Sequence, residues 1–184
     1  MLRHRNPAAA LAVFDHARRR VSEIKDNARA RRGEAELLAA SSYPLRRLGR
    51  VGEAEQRINQ ALDLLRQTKS YPAEAIDVSD ELHTVLFALG DHLADQGRLQ
   101  PATDVFEQLL AKLMASHPDP ENDLGHATAL SGIYGALSRL YRRLGRSEQA
   151  NTTADLRIEL WQNWNRKLPA SPFIQQELSA AQTP

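Results

Sequence analysis

Apolar positions recur along most of the chain at the three- and four-residue spacing of an amphipathic helix. Ala54, Ile58, Ala61, Leu62 and Leu65 form one such stripe, and Ala102, Phe106, Leu109, Leu110 and Leu113 form another. Phe14, Ala17, Val21, Ile24 and Ala28 form a third, which predicts one N-terminal helix over 8–31. Polar, proline-rich breaks follow at "TKSYP", "SHPDPEND" and "KLPASP", and "FIQQEL" (173–178) predicts a short terminal segment.

The stripes are periodic. "RRLGR" occurs at 46–50 and again at 142–146, and Gly97-Arg98 lies midway. A single ungapped register of 48 residues aligns Gly49, Gly97 and Gly145, and five residues later Ala54, Ala102 and Ala150. The same register aligns Leu38, Leu86 and Tyr134; Leu45, Leu93 and Tyr141; Leu62, Leu110 and Ile158; and Leu65, Leu113 and Trp161. Small residues share a column at Ser42, Gly90 and Ser138, and Pro72 and Pro120 share one with Leu168. So many agreeing columns predict three repeats, each a pair of helices. The first helix of each pair ends at the glycine, which closes a helix in the left-handed conformation. Glu53, Pro101 and Glu148 then fall in the first turn of the second helix, where acids and proline are tolerated or preferred. The organisation expected is one domain over 1–184: a capping helix at 8–31, repeats at 32–72, 73–120 and 121–168, and a tail at 169–184. Pro44 falls inside the first helix of repeat one and predicts a kink or early break near Ser42–Pro44.

Composition agrees with helices. Aromatic residues make up 5% of the chain, Ala and Leu are abundant, and runs of β-branched residues are missing. With no cysteine, a disulfide framework, a thiolate metal site and a cysteine nucleophile are excluded. No stretch reaches the roughly 18 apolar residues of a membrane span. Asp15, His16 and the arginines that follow break the N-terminal apolar run too early for a signal peptide, so a cytoplasmic protein is expected.

Charge changes the picture more. The net charge is +1, but residues 1–50 carry +7, 51–130 carry −9 and 131–184 carry +3. Such separation steers partners, and it admits docking of the basic block of one copy on the acidic middle of another.

The residues themselves resemble the tetratricopeptide repeat (TPR) family. A small residue, then a large one three positions on, then Gly four on, then Ala five on is that family's pattern. "LGDHLADQGRLQPATDVFEQLL" carries it best, with Gly90, Leu93, Gly97, Ala102 and Phe106. "LSRLYRRLGRSEQANTTADL" carries it with Ser138, Tyr141, Gly145 and Ala150, but with Ala154 where a large residue is usual. The first copy, with Ser41-Ser42 and Pro44, is the most degenerate, and the likeness covers roughly 31–168. The period exceeds the family's usual length of about 34. "LWQNWNRKLPASPFIQQEL" also resembles the end of TPR-like regions that follow serine/threonine kinase domains in soil bacteria. No glycine-rich loop, catalytic His-Arg-Asp string or Asp-Phe-Gly accompanies it.

The resemblance implies an all-α, right-handed superhelix of antiparallel helix pairs, with a concave face that receives a peptide or protein segment. Its groove residues would be Tyr43, Arg46 and Arg47; then Thr84, Phe87, Asp91 and Asp95; then Gly135, Arg139, Arg142 and Arg143. Members that bind chaperone tails clamp a carboxylate with lysines and asparagines. Ala39 and Tyr43 stand at matching places here, so tail binding is not expected. Arginines pair bidentately with carboxylates, so the groove, basic at its ends with Asp91 and Asp95 between, would suit a ligand carrying acidic residues that flank a basic or apolar one. Arg50, Arg98 and Arg146 follow the glycines and read as structural.

Other chemistry is thin. His83 and His92 are nine apart, as are His117 and His126, which puts neither pair on one helix face. No cofactor, metal or catalytic group is predicted. "DPENDLG" (119–125) places its Gly one position late for a calcium loop and has Leu130 where the closing Glu belongs, so an acidic helix cap is expected there. Trp161 should fill the core, and Trp164 should be partly exposed, covering the end of the array or marking a self-association patch. Arg18, Arg19, Arg20, Lys25, Arg29, Arg31 and Arg32 could touch nucleic acid, but without interleaved aromatics or a DNA-binding motif this is not the expected partner.

Overall fold

The computed structural model describes residues 6–24 and 27–183. Among them the chain forms eight α-helices and no strand: α1 (Pro7–Ser22), α2 (Ala28–Arg47), α3 (Val51–Gln67), α4 (Glu81–Asp95), α5 (Leu99–Ala115), α6 (Leu124–Arg143), α7 (Ser147–Lys167) and α8 (Pro172–Gln182).

The helix starts are chemically marked. Asn6, Asn27, Asp123 and Ser171 are N-caps whose side chains accept from backbone N–H groups one turn in, satisfying donors the helix cannot. Asn27 corrects the expected helix over 8–31. Its Oδ1 takes the N–H groups of Arg29 (2.9 Å) and Ala30 (3.1 Å), so a new helix begins at Ala28 and α1 ends at Ser22. The apolar stripe runs through this boundary in the sequence, but Phe14, Ala17 and Val21 are half-buried on α1 whereas Ile24 and Ala28 on either side of the break are exposed. Lys25 and Asp26 lie outside the described residues.

The three glycine turns are alike in detail. Gly49, Gly97 and Gly145 have φ of 74°, 75° and 73°. The N–H after each glycine donates back to Leu45, Leu93 and Tyr141 at 2.9, 2.9 and 2.8 Å. That bond satisfies a carbonyl the helix leaves open, and a left-handed residue is needed to make it. Three-residue turns thus fold α2 onto α3, α4 onto α5 and α6 onto α7. Ala54, Ala102 and Ala150 are fully buried one turn into the following helix.

Successive pairs stack. α4 packs along α2 and α3, α5 packs on α6, and α4 meets α6 over a short stretch. Leu38, Leu65, Leu86, Phe106, Leu113 and Leu137 belong to one core running from α2 to α6. Leu11 joins Leu45 and Ala54 beneath α1. At the other end Trp161, Trp164, Ile174 and Ala181 form a separate cluster under α8. Ser42, Gly90 and Ser138 are all buried, where small side chains let helices approach.

Two further expectations are corrected. Pro44 does not break its helix: α2 runs to Arg47 with Pro44 buried in its last turn, where the missing N–H removes only one late bond. Trp164 is buried, with its Nε1 donating to the Pro120 carbonyl at 2.8 Å, so it forms no exposed patch. The loop between α3 and α4 is also more than a connector. Ile76 is buried, its N–H donates to the Lys112 carbonyl (3.0 Å), and Lys112 Nζ returns a bond to the Ala73 carbonyl.

Candidate functional site

The C-terminal turns of α2, α4 and α6 carry most of the predicted groove residues, and side chains here reach groups 48 or 49 residues away on the neighbouring helix. Tyr43 Oη donates to Asp91 Oδ2 at 3.0 Å. Arg46 Nη1 donates to Asp95 Oδ2 at 2.5 Å, and its guanidinium sits 4.8 Å from the centroid of the Tyr43 ring. Arg143 Nη1 donates to the Ala94 carbonyl at 3.1 Å. Arg46 and Arg143, expected to face a ligand, therefore tie neighbouring helices together. Asp95 is exposed while Arg46 is mostly covered, so this pair is only partly shielded from solvent.

The remaining predicted residues divide. Phe87 is half-buried, edge-on to Phe106 (centroids 5.1 Å apart, planes at 84°) and beside Gly132. It fills the gap between α4, α5 and α6. Thr84 is half-buried in the first turn of α4. Arg47 is exposed at the end of α2, and Arg139 and Arg142 are exposed on α6. Gly135 is buried, and a Cβ built there would lie 3.4 Å from Nη1 of Arg139 and from Cζ of Arg157.

Arg157 is the functional candidate that motif reading missed. It sits on α7, donates from Nε to Ser131 Oγ (3.1 Å) and from Nη1 to the Ala180 carbonyl of α8 (3.2 Å). The 48-residue frame held the signal. Its column is Ala61, Leu109 and Arg157, and the first two are fully buried, so an arginine there breaks the pattern.

Burial pushes the Asp91 carboxyl above its ordinary value of 3.8, against the pull of the Tyr43 hydrogen bond and the charges of Arg46 and Arg139. A raised folded value means that the folded chain holds the proton more tightly than the unfolded one. The contribution to stability is therefore fully present below 3.8 and is lost as pH rises through the raised value. Asp91→Asn keeps an acceptor for Tyr43 and removes the titration. Subtracting its pH–stability curve from that of the parent should leave a difference that falls between the ordinary and the raised value and is flat elsewhere, measured by urea unfolding. A flat difference throughout would contradict the assignment.

Three ion pairs involve the N-terminal block, and one of them, Arg32–Glu81, joins it to the acidic middle of the same chain. Arg57 pairs with Asp15 at 2.7 Å, Arg32 with Glu81 at 3.5 Å and Arg18 with Glu34 at 3.8 Å. Asp119 and Asp123 are engaged locally, by Asn122 and by the start of α6. Among the described residues no three His, Cys, Asp or Glu side chains are grouped to hold a metal, and no helix is long and apolar enough to cross a membrane.

No family model matches the chain, and neither a curated protein nor a solved structure matches it.

Proposed function

We propose that the chain is a TPR-like array of three 48-residue repeats, wound as a right-handed superhelix, that binds a peptide or protein segment in a groove along α2, α4 and α6 and performs no catalysis. The observation that carries this reading is the recurrence of one helix-ending geometry at Gly49, Gly97 and Gly145, each with the same φ and the same return bond. Equivalent turns at a constant interval support equivalent helices side by side, and such stacks present one continuous face. That face carries Arg139 and Arg142 exposed on α6, which suits acidic residues in the ligand.

A peptide selected from a random displayed library on the full chain supplies the ligand for the test. Arg142→Glu should weaken its binding by about tenfold or more, the worth of one lost charge-assisted hydrogen bond, with helicity by circular dichroism unchanged. Adding Arg143→Glu should weaken binding further, although Arg143 also holds α4 through the Ala94 carbonyl. Unchanged affinity in both variants would sink the groove assignment. Self-association is the weaker reading, because Arg18 and Arg32 of the basic block already pair with Glu34 and Glu81 of the same chain.

A further inference from the structure

Two guanidinium groups converge at one point on the groove wall. Arg139 of α6 and Arg157 of α7 both come within 3.4 Å of the place a Cβ on Gly135 would occupy, so they lie no farther apart than twice that distance. Like charges this close repel, and burial together with Arg139 holds the Arg157 pKa below the usual arginine value. Among the described residues no carboxylate forms an ion pair with either. Asp91 and Glu177 act on them only through space, and Asp91 is already bonded to Tyr43.

The pair is built rather than incidental. Arg157 stands where the other two repeats bury Ala61 and Leu109. Two bonds fix its head: Nε to Ser131 Oγ and Nη1 to the Ala180 carbonyl. Ser131 is buried and also accepts from Trp161 Nε1 at 2.7 Å, so the hydroxyl that orients Arg157 is itself locked. In the column of Gly135 the first two repeats carry Ala39 and Phe87. Only the third has no side chain there, and the two guanidinium groups use that space.

We propose that Arg139 and Arg157, set over Gly135, form a binding site for an oxyanion, a carboxylate or phosphoryl group carried by the peptide partner. Arg139 is exposed and supplies the open side, while Arg157 supplies a pre-oriented floor. Guanidinium forks bind such groups bidentately, and an anion between them removes their mutual repulsion. The site deepens the groove reading and rests on it for the source of the anion.

The test is a titration of the full ¹⁵N-labelled chain, following arginine Nε–Hε resonances. The Arg157 proton is bonded to Ser131 and so exchanges slowly enough to observe. The probes are three capped pentapeptides, Gly-Gly-X-Gly-Gly, with X as Glu, phosphoserine or Gln, at matched ionic strength. The Glu or phosphoserine probe should shift Arg157 and Arg139 saturably and Gln should not. Arg139→Gln should weaken the response by about tenfold. Tighter binding of phosphoserine than of Glu would assign a phosphoryl ligand, and the converse a carboxylate.

Three results would overturn the site: no saturable shift with either anion, the same shift with chloride, or a response untouched by Arg139→Gln. The two readings separate by location. A shift confined to this corner, with α2 and α4 unmoved, would support the site and count against the groove. Shifts along α2, α4 and α6 that are equal for Glu and Gln would support the groove and overturn the site.

Discussion

Trp161→Ala is expected to destabilise the chain by about 3–5 kcal/mol, the usual cost of truncating a large buried aromatic. Trp161 is the largest of the fully buried side chains, with its ring edge-on to Phe173 at 5.8 Å. Its Nε1 donates to Ser131 Oγ at 2.7 Å. Alanine would remove the ring and leave a cavity between α6, α7 and α8. Folded domains hold only about 5–15 kcal/mol in all, so the loss should lower Tm by roughly 10 °C.

The damage should concentrate at one end. Trp161, Trp164, Ile174 and Ala181 make a cluster separate from the main core, so α8 should exchange its amides fastest in the variant. Trp161→Phe should cost less, about 1–2 kcal/mol, because most of the ring area stays and Ser131 still receives Arg157. Thermal unfolding by circular dichroism gives both values. A Trp161→Ala loss below about 1 kcal/mol would mean that the C-terminal cluster is not packed as described.

Gly90→Ala sets two effects of opposite sign against each other. Alanine inside a helix gains about 1 kcal/mol over glycine. At Gly90, however, the new Cβ would lie 2.5, 2.8 and 2.9 Å from three ring atoms of Phe106. Phe106 is fully buried and braced edge-on by Phe87, so its ring has nowhere to go. Overpacking costs about 1–3 kcal/mol, and the clash should win, with net destabilisation of up to about 2 kcal/mol.

Gly33→Ala is the matched control. It lies in α2 with nothing within 4 Å of its Cβ position, and it should stabilise by about 0.5–1 kcal/mol. In Gly90→Ala/Phe106→Leu the smaller side chain should absorb the methyl, so the double variant should be more stable than the sum of its parts. Urea unfolding of Gly33→Ala, Gly90→Ala, Phe106→Leu and the double variant decides it. Stabilisation by Gly90→Ala would mean that α4 and α5 are not held at the separation seen here.

The regular part of this structure was legible in the chain because packing enforces it. A left-handed residue is needed wherever a helix must turn back in three residues, so the glycines recur. A small residue is needed where α4 crosses α5, so Gly90 shares a column with Ser42 and Ser138. Features set by one local contact were not legible. The start of α2 depends on a single Asn27 cap within an unbroken apolar stripe. The burial of Ile76 depends on a backbone bond to Lys112, in a loop of no fixed pattern. Trp164 is hidden by the Pro120 carbonyl, a backbone group with no side-chain signature.

The site was half legible. Tyr43, Arg46, Asp91 and Asp95 were placed on one face, but their mutual bonds were not foreseen. The frame held part of the signal: Tyr43 and Asp91 are 48 residues apart and Arg46 and Asp95 are 49 apart on neighbouring helices, where a phenol meets a carboxylate and an arginine meets an aspartate. Arg157 was missed because it lies on a second helix, off the expected face.

Amide hydrogen exchange of the full chain, with and without the library-selected peptide, tests the groove most directly. Peptide binding in the groove should slow exchange in α2, α4 and α6, most strongly in the turns that carry Tyr43, Asp91 and Arg139. Protection confined to α3, α5 and α7 would contradict it.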